Sequence, residues 1–227
     1  MIQFGYSLMP RLAARPLSPR KTPIQSRSAA TLEAIFEATI QVLVAEGSKE
    51  LTTTRVAHRA GVSVGTLYQY FPNKQALFYA VNQRYLGAVA SRVEETCLRH
   101  HGAPLAEMVD TLIEAYWQAK FERPDVTRAL YRSVADLDMA PLIGPFTRRV
   151  DAATAAMLAT APGATFADVG LTSLTLLTAV FGTVKGVFER ELALPLARGV
   201  HEQLTQMCLA YLEGAKTPTA ADIPELV

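Results

Sequence analysis

Apolar residues recur along this chain at steps of three and four and almost nowhere in strict alternation, so the pattern is helical nearly throughout. Leu32, Ile35, Phe36, Ile40, Leu43 and Val44 mark one face of an amphipathic first helix over about residues 28–46. Gly47 ends it, because glycine accepts positive φ at little cost. Thr52 or Thr53 can cap a short second helix carrying Val56, Ala57 and Ala60 on one face, and Gly61 stops it within about two turns. A third short helix is expected over about 64–71. Asn73 then caps a fourth, which starts at Lys74 and reaches about Arg99.

Prolines punctuate the rest of the chain. Pro104 suits the first turn of a fifth helix with Leu105, Met108, Val109, Leu112, Ile113, Tyr116 and Trp117. Pro124 opens a sixth. Pro141 precedes a seventh, with Ile143, Phe146, Val150, Ala153 and Met157 on one stripe, and "APGAT" at 161–165 is a break. Two further apolar helices are expected over about 166–192 and about 196–213, separated at Pro195. The pattern predicts an all-α fold of about nine helices. It divides into an arm at 1–27, a small three-helix unit at 28–74, a larger unit at 75–214 and a loosely held tail at 215–227.

Charge sharpens that division. The whole chain is nearly neutral at +1, yet residues 1–74 hold nine Lys or Arg against four acids, a net +5, which leaves −4 for the remainder. A basic first part on an acidic remainder implies a polyanionic partner for the first part alone. The acid-free, Arg-rich arm lacks a continuous apolar stretch and is broken by four prolines, so it reads as a flexible basic segment rather than a targeting peptide. No apolar run approaches the roughly 20 residues that span a bilayer, so no membrane association is expected. Cys97 and Cys208 form no paired motif, which argues against a disulfide framework or zinc site and suits a reducing cytoplasm.

The stretch "GVSVGTLYQYFPNKQAL" at 61–77 carries the chemistry. On a helix Leu67 and Phe71 share a face and can pack inward with Val62, which turns Gly65, Thr66 and Gln69 outward between Tyr68 and Tyr70. A surface with a bare glycine, a threonine, an amide and two phenols can approach another backbone closely and still donate hydrogen bonds. A recognition helix in a major groove needs that combination. Val64 offers an apolar contact to a thymine methyl and Gln69 can pair with adenine. Tyr68 and Tyr70 can donate to phosphates. Lys74 adds charge beside the free N–H groups that open the fourth helix. Thr53, Thr54 and Arg55, at the start of the second helix, can hold the backbone of the opposite strand.

The run "LTTTRVAHRAGVSVGTLYQYFPNKQALFYAV" resembles the DNA-binding unit of tetracycline-repressor (TetR) family regulators over about residues 28–86. Ala57, Gly61, Val62, Ser63, Gly65, Leu67, Tyr68, Phe71, Lys74 and Leu77 fall on that family's pattern. The resemblance implies a helix-turn-helix at 52–71 and a homodimer on a pseudo-palindromic operator. It also implies a C-terminal domain whose small-molecule ligand releases the DNA, usually relieving repression. Beyond about residue 90 it carries architecture only.

The last two helices are apolar on more than one face, so a second copy is a natural cover and a four-helix dimer seam over about 166–192 and 196–213 is expected, with Val184 in it. Gly170, Gly182 and Gly186 would allow close crossing there. Tyr116, Trp117, Phe121, Phe146 and Phe181 are the expected ligand-pocket wall, among further large residues that include Tyr131, Met139 and Met157. Few charges interleave with these (Glu114, Lys120, Asp136 and Asp138), which favours an apolar or aromatic ligand over a polyanion. No catalytic, nucleotide or metal motif is present, so neither an enzyme nor a cofactor is expected. A non-specific architectural DNA binder is the alternative, though packing DNA does not call for so large an apolar C-terminal unit.

Overall fold

A computed structural model describes residues 26–133 and 140–217, with side chains from Ser28 onward. Residues 1–25 of the expected arm, the segment holding Asp136, Asp138 and Met139, and residues 218–227 of the expected tail lie outside the described residues. Among the described residues there are nine helices: α1 (Ser26–Glu50), α2 (Thr53–Arg59), α3 (Val64–Tyr70), α4 (Lys74–Arg99), α5 (Leu105–Phe121), α6 (Pro124–Ser133), α7 (Ala140–Leu158), α8 (Val169–Glu189) and α9 (Leu194–Ala215). They contain no extended strand; a single antiparallel bridge ties Phe166 to Lys216.

Local chemistry sets the boundaries of the first four helices. Gly47 sits at φ 80°, ψ 174°, so the regular part of α1 ends there and a short piece leads on to residue 50. The side chains of Thr52, Ser63 and Asn73 accept from the backbone N–H of Arg55, Thr66 and Ala76, which caps α2, α3 and α4. Gly61, at φ 67°, closes α2: Val62 N–H bonds to Ala57 O at 3.0 Å and Gly61 N–H to His58 O at 3.2 Å. These bonds fix the angle between α2 and α3.

Two hydrophobic cores result. The first joins Ile35, Phe36 and Val42 of α1, Val56 of α2, Leu67 of α3 and Phe71 just after it to Leu77, Phe78 and Val81 of α4. The second gathers Val89, Val93 and Cys97 from the far half of α4 with α5, α7, α8 and α9. The cores do not divide the chain at one point, because Val126 and Leu130 of α6 belong to the first. Arg123 bonds Glu37 at 3.2 Å and Arg84 bonds Glu33 at 2.6 Å, so charged pairs reinforce both attachments of α1. Those arginines hold both glutamates below the usual carboxylate range.

Residues 28–50 and α8 are, by length and composition, apolar enough to cross a bilayer, contrary to the sequence expectation. Here their apolar faces are spent on protein contacts: α1 packs on α2, α4 and α6, and the inner face of α8 on α7 and α9.

Phe71 is fully buried and its ring lies 5.8 Å from that of Phe36. Phe71→Ala should cost about 3–5 kcal/mol of stability in chemical denaturation. A loss near zero would mean that this core is not closed as described.

Candidate nucleic-acid interface and ligand cleft

On α3, Leu67 and Tyr70 face the first core while Gly65, Tyr68 and Gln69, spaced three and four apart, form an exposed stripe. Val64 and Thr66 flank it half-buried, and the Thr66 hydroxyl lies 2.8 Å from that of Ser63. Nothing in the fold demands a glycine at 65: an added Cβ would meet only Ser63 Oγ, at 3.7 Å. Tyr68 is 43% exposed, and its hydroxyl lies 3.1 Å from that of Thr53 on α2. The two helices thus present one continuous edge with Thr54 exposed beside it.

Of the expected DNA contacts, Tyr70 is placed differently, while Arg55 and Lys74 are engaged within the protein. Tyr70 is 8% exposed, with its ring 6.4 Å from that of Phe71, so it fills the core instead of pointing outward. It follows Leu67 by three positions, and on a helix that spacing puts the two on one face. Arg55 bonds Glu46 at 2.5 Å and the Glu50 carbonyl at 2.9 Å, which braces α2 against the end of α1. The Lys74 ammonium donates to Ser48 O at 2.6 Å and lies 5.4 Å from the centre of the Phe78 ring. It pins the segment after Gly47 to the start of α4. The sequence reading passed over His58 and Arg59, both exposed on α2.

In the C-terminal half the five expected pocket residues do meet, in two groups. Phe181 stands 4.6 Å from Tyr116 and 5.6 Å from Phe146, and Trp117 stacks on Phe121 at 4.4 Å. They are core, and none lines the cleft between α6 and α8. That cleft holds about 500 Å³ and is lined by Arg128, Tyr131, Arg132, Lys185, Phe188, Glu189 and Glu191. Phe121, 4.8 Å from Phe188, links the Trp117 stack to the cleft wall.

Behind Tyr131 lies a lysine that the sequence marked only as an interleaved charge. Lys120 is 1% exposed, and its ammonium lies 4.5, 5.4 and 5.3 Å from the ring centres of Tyr85, Tyr116 and Tyr131. Among the described residues no carboxylate pairs with it. Burial pushes it down to about 7. The Tyr85 hydroxyl lies 2.6 Å from that of Thr127, which donates to the Lys120 carbonyl at 2.7 Å, so α4, α5 and α6 are knotted here. His201 Nε2, 3.1 Å from a Glu114 oxygen, is too poorly aligned for a hydrogen bond. Cys97 and Cys208 are buried free thiols, pushed up to about 11 by that burial.

Tyr68→Phe removes only a hydroxyl and should weaken DNA binding by about 1 kcal/mol with little change in melting temperature. Gly65→Val should weaken binding more and leave the fold intact, as read by fluorescence anisotropy beside thermal melts. Equal losses of stability and affinity would place these residues in the core.

Lys120 supplies a pH signature. Its folded value lies below its unfolded one, so between about pH 7 and 10 the unfolded chain binds the extra proton and stability rises with pH. Lys120→Met should raise the melting temperature near pH 7 and flatten that rise. A variant less stable than the parent at pH 7 would contradict the burial of an unpaired cation.

Comparison with known proteins agrees with this geometry. Residues 35–81 match the family described as "Bacterial regulatory proteins, tetR family", and residues 104–212 that described as "Tetracyclin repressor-like, C-terminal domain". The nucleoid occlusion factor SlmA of Haemophilus ducreyi is 32% identical over 97 residues, 42% of this chain and 47% of that protein. The HTH-type transcriptional repressor KstR of Mycobacterium tuberculosis is 26% identical over 127 residues, 55% of this chain and 57% of that one. The chain thus spans about half the length of these curated relatives. In fold, a TetR transcription regulator from Haloarcula marismortui superposes with a TM-score of 0.69 at 20% identity, over 83% of this chain and 100% of its own. With its helix-turn-helix and its C-terminal helical domain both matched, the chain belongs to the tetracycline-repressor (TetR) family of DNA-binding transcriptional regulators.

Proposed function

We propose that this chain is a cytoplasmic, ligand-responsive repressor that binds a pseudo-palindromic operator as a homodimer. The observation that carries the reading is the exposed stripe of Gly65, Tyr68 and Gln69 on a helix whose opposite face is locked into a core. The stripe, with Val64, Thr66, Thr53 and Thr54 around it, reads bases and phosphates in a major groove. Arg55 and Lys74 act by positioning α2, α4 and the end of α1. In the C-terminal half, a small apolar or aromatic molecule binds against the wall of Tyr131 and Phe188 and shifts the population away from the DNA-binding arrangement. It does so only if it binds the released state more tightly.

The dimer forms through α8 and α9. Leu171 and Leu174 on α8 and Leu194, Leu196 and Met207 on α9 are large apolar residues left half exposed or more in the single chain. A Cβ at Gly182 would meet nothing within 4 Å, so a partner helix can come close there. Val184, expected in the seam, is fully buried within the chain, because α8 turns a second apolar face toward its own domain.

Selection of random duplex DNA by the purified protein tests the function. It should return one inverted-repeat motif; recovery of unrelated sequences with equal affinity would favour the architectural reading. Leu174→Glu and Met207→Glu should each give folded monomers in sedimentation and lose tight operator binding. A parent protein monomeric at about 10 μM, the range in which dimers of modest affinity form, would remove the dimer and the two-fold operator together.

A further inference from the structure

We propose that the effector is a singly charged anionic amphiphile, a carboxylate on an apolar body, seated in the α6–α8 cleft with its charge at Arg128, beside the Tyr131 ring that covers Lys120. This rests on the reading that the C-terminal half takes a small-molecule effector, and it assigns that molecule's chemical class.

The cleft's own charges decide the sign. Arg132 pairs with Glu191, and Lys185 with Glu189 at 3.3 Å, so four of its five ionic residues neutralise one another. Arg128 is left over, and its Nε is buried with no hydrogen-bond partner. Tyr131 lines the cleft together with Arg128, and the Lys120 ammonium lies 5.3 Å from the centre of the Tyr131 ring. Three ring faces favour a cation at Lys120 yet supply no acceptor for its N–H donors. Holding an ammonium for which the described residues supply no acceptor is costly, and an arriving anion would offset that cost. Phe188 and the Tyr131 ring supply apolar wall, and about 500 Å³ suits a drug-sized molecule. Glu189 and Glu191 at the same cleft weigh against a multiply charged ligand.

The placement also supplies a route to the DNA. Lys120 touches Tyr85 on α4, and Tyr85 bonds Thr127 on α6, the helix that sends Val126 and Leu130 into the DNA-binding core. An anion that draws the ammonium off Tyr85 changes contacts on both helices that hold the DNA-binding unit.

The test titrates the full-length protein with decanoate, decan-1-ol and decyltrimethylammonium. Binding is followed through Trp117, the single tryptophan, whose stack on Phe121 reaches the cleft through Phe188. Decanoate should bind about tenfold or more tighter than the alcohol, and the ammonium compound weakest. Lys120→Met and Arg128→Gln should each cut decanoate affinity about tenfold while leaving the alcohol within about twofold. Equal binding of acid and alcohol, equal losses for both in the variants, or no binding of either by about 1 mM would overturn the proposal. Binding is measured without DNA, so the two readings separate. A carboxylate preference with no release of operator overturns the effector reading alone. Release by a neutral compound, with no carboxylate preference, overturns the anion assignment alone.

Discussion

Helix α4 gives Leu77, Phe78 and Val81 to one hydrophobic core and Val89, Val93 and Cys97 to the other. At about 1.5 Å per residue its 26 residues make a rod near 39 Å long with no proline to bend it. The DNA-binding unit therefore cannot move without changing the packing of the C-terminal half. α6 adds a second attachment through Val126 and Leu130. Two attachments define an orientation where one would leave a swivel, and Tyr85, Lys120 and Thr127 sit where the two helices meet. Coupling between a cleft and a distant DNA surface needs such an element with two packed arrangements.

The charges of the DNA-binding unit divide by role. Arg55 and Lys74, two cations flanking α3 in sequence, are engaged with Glu46, the Glu50 carbonyl and the Ser48 carbonyl. What α3 turns outward is a backbone without a side chain, a phenol and an amide. On the proposed reading such a surface would discriminate by shape and hydrogen bonding, with long-range attraction left to exposed residues such as Arg59.

Much of this was legible in the sequence because its determinants are local. Thr52, Ser63 and Asn73 as caps and Gly47 and Gly61 as stops act within four residues, and they placed the first four helices closely. For Tyr70 the phenol points to a polar partner, yet its spacing of three from Leu67 decides the outcome and turns the ring into the core. Val184 was misplaced because a helix apolar on two faces does not announce which one is internal. The cleft was not legible at all. Its wall combines residues 128–132 with 185–191, brought together only by the packing of α6 against the end of α8. In sequence Lys120 is one charge interleaved among large apolar residues, and only the three tyrosines packed around it from three helices reveal it as buried.

The presence of Val126 and Leu130 in the first core bears on how such proteins can be recombined. A cut after α4 would seem natural from the order of elements, yet it would strip two aliphatic side chains from the head and leave an open apolar notch on α1. The DNA-binding unit and the C-terminal unit of this chain are therefore fitted to each other across a surface contributed by both. A chimera that grafts this head onto a foreign sensor has to carry the matching face of α6 with it, or redesign Ile35, Phe36 and their neighbours to suit the new one.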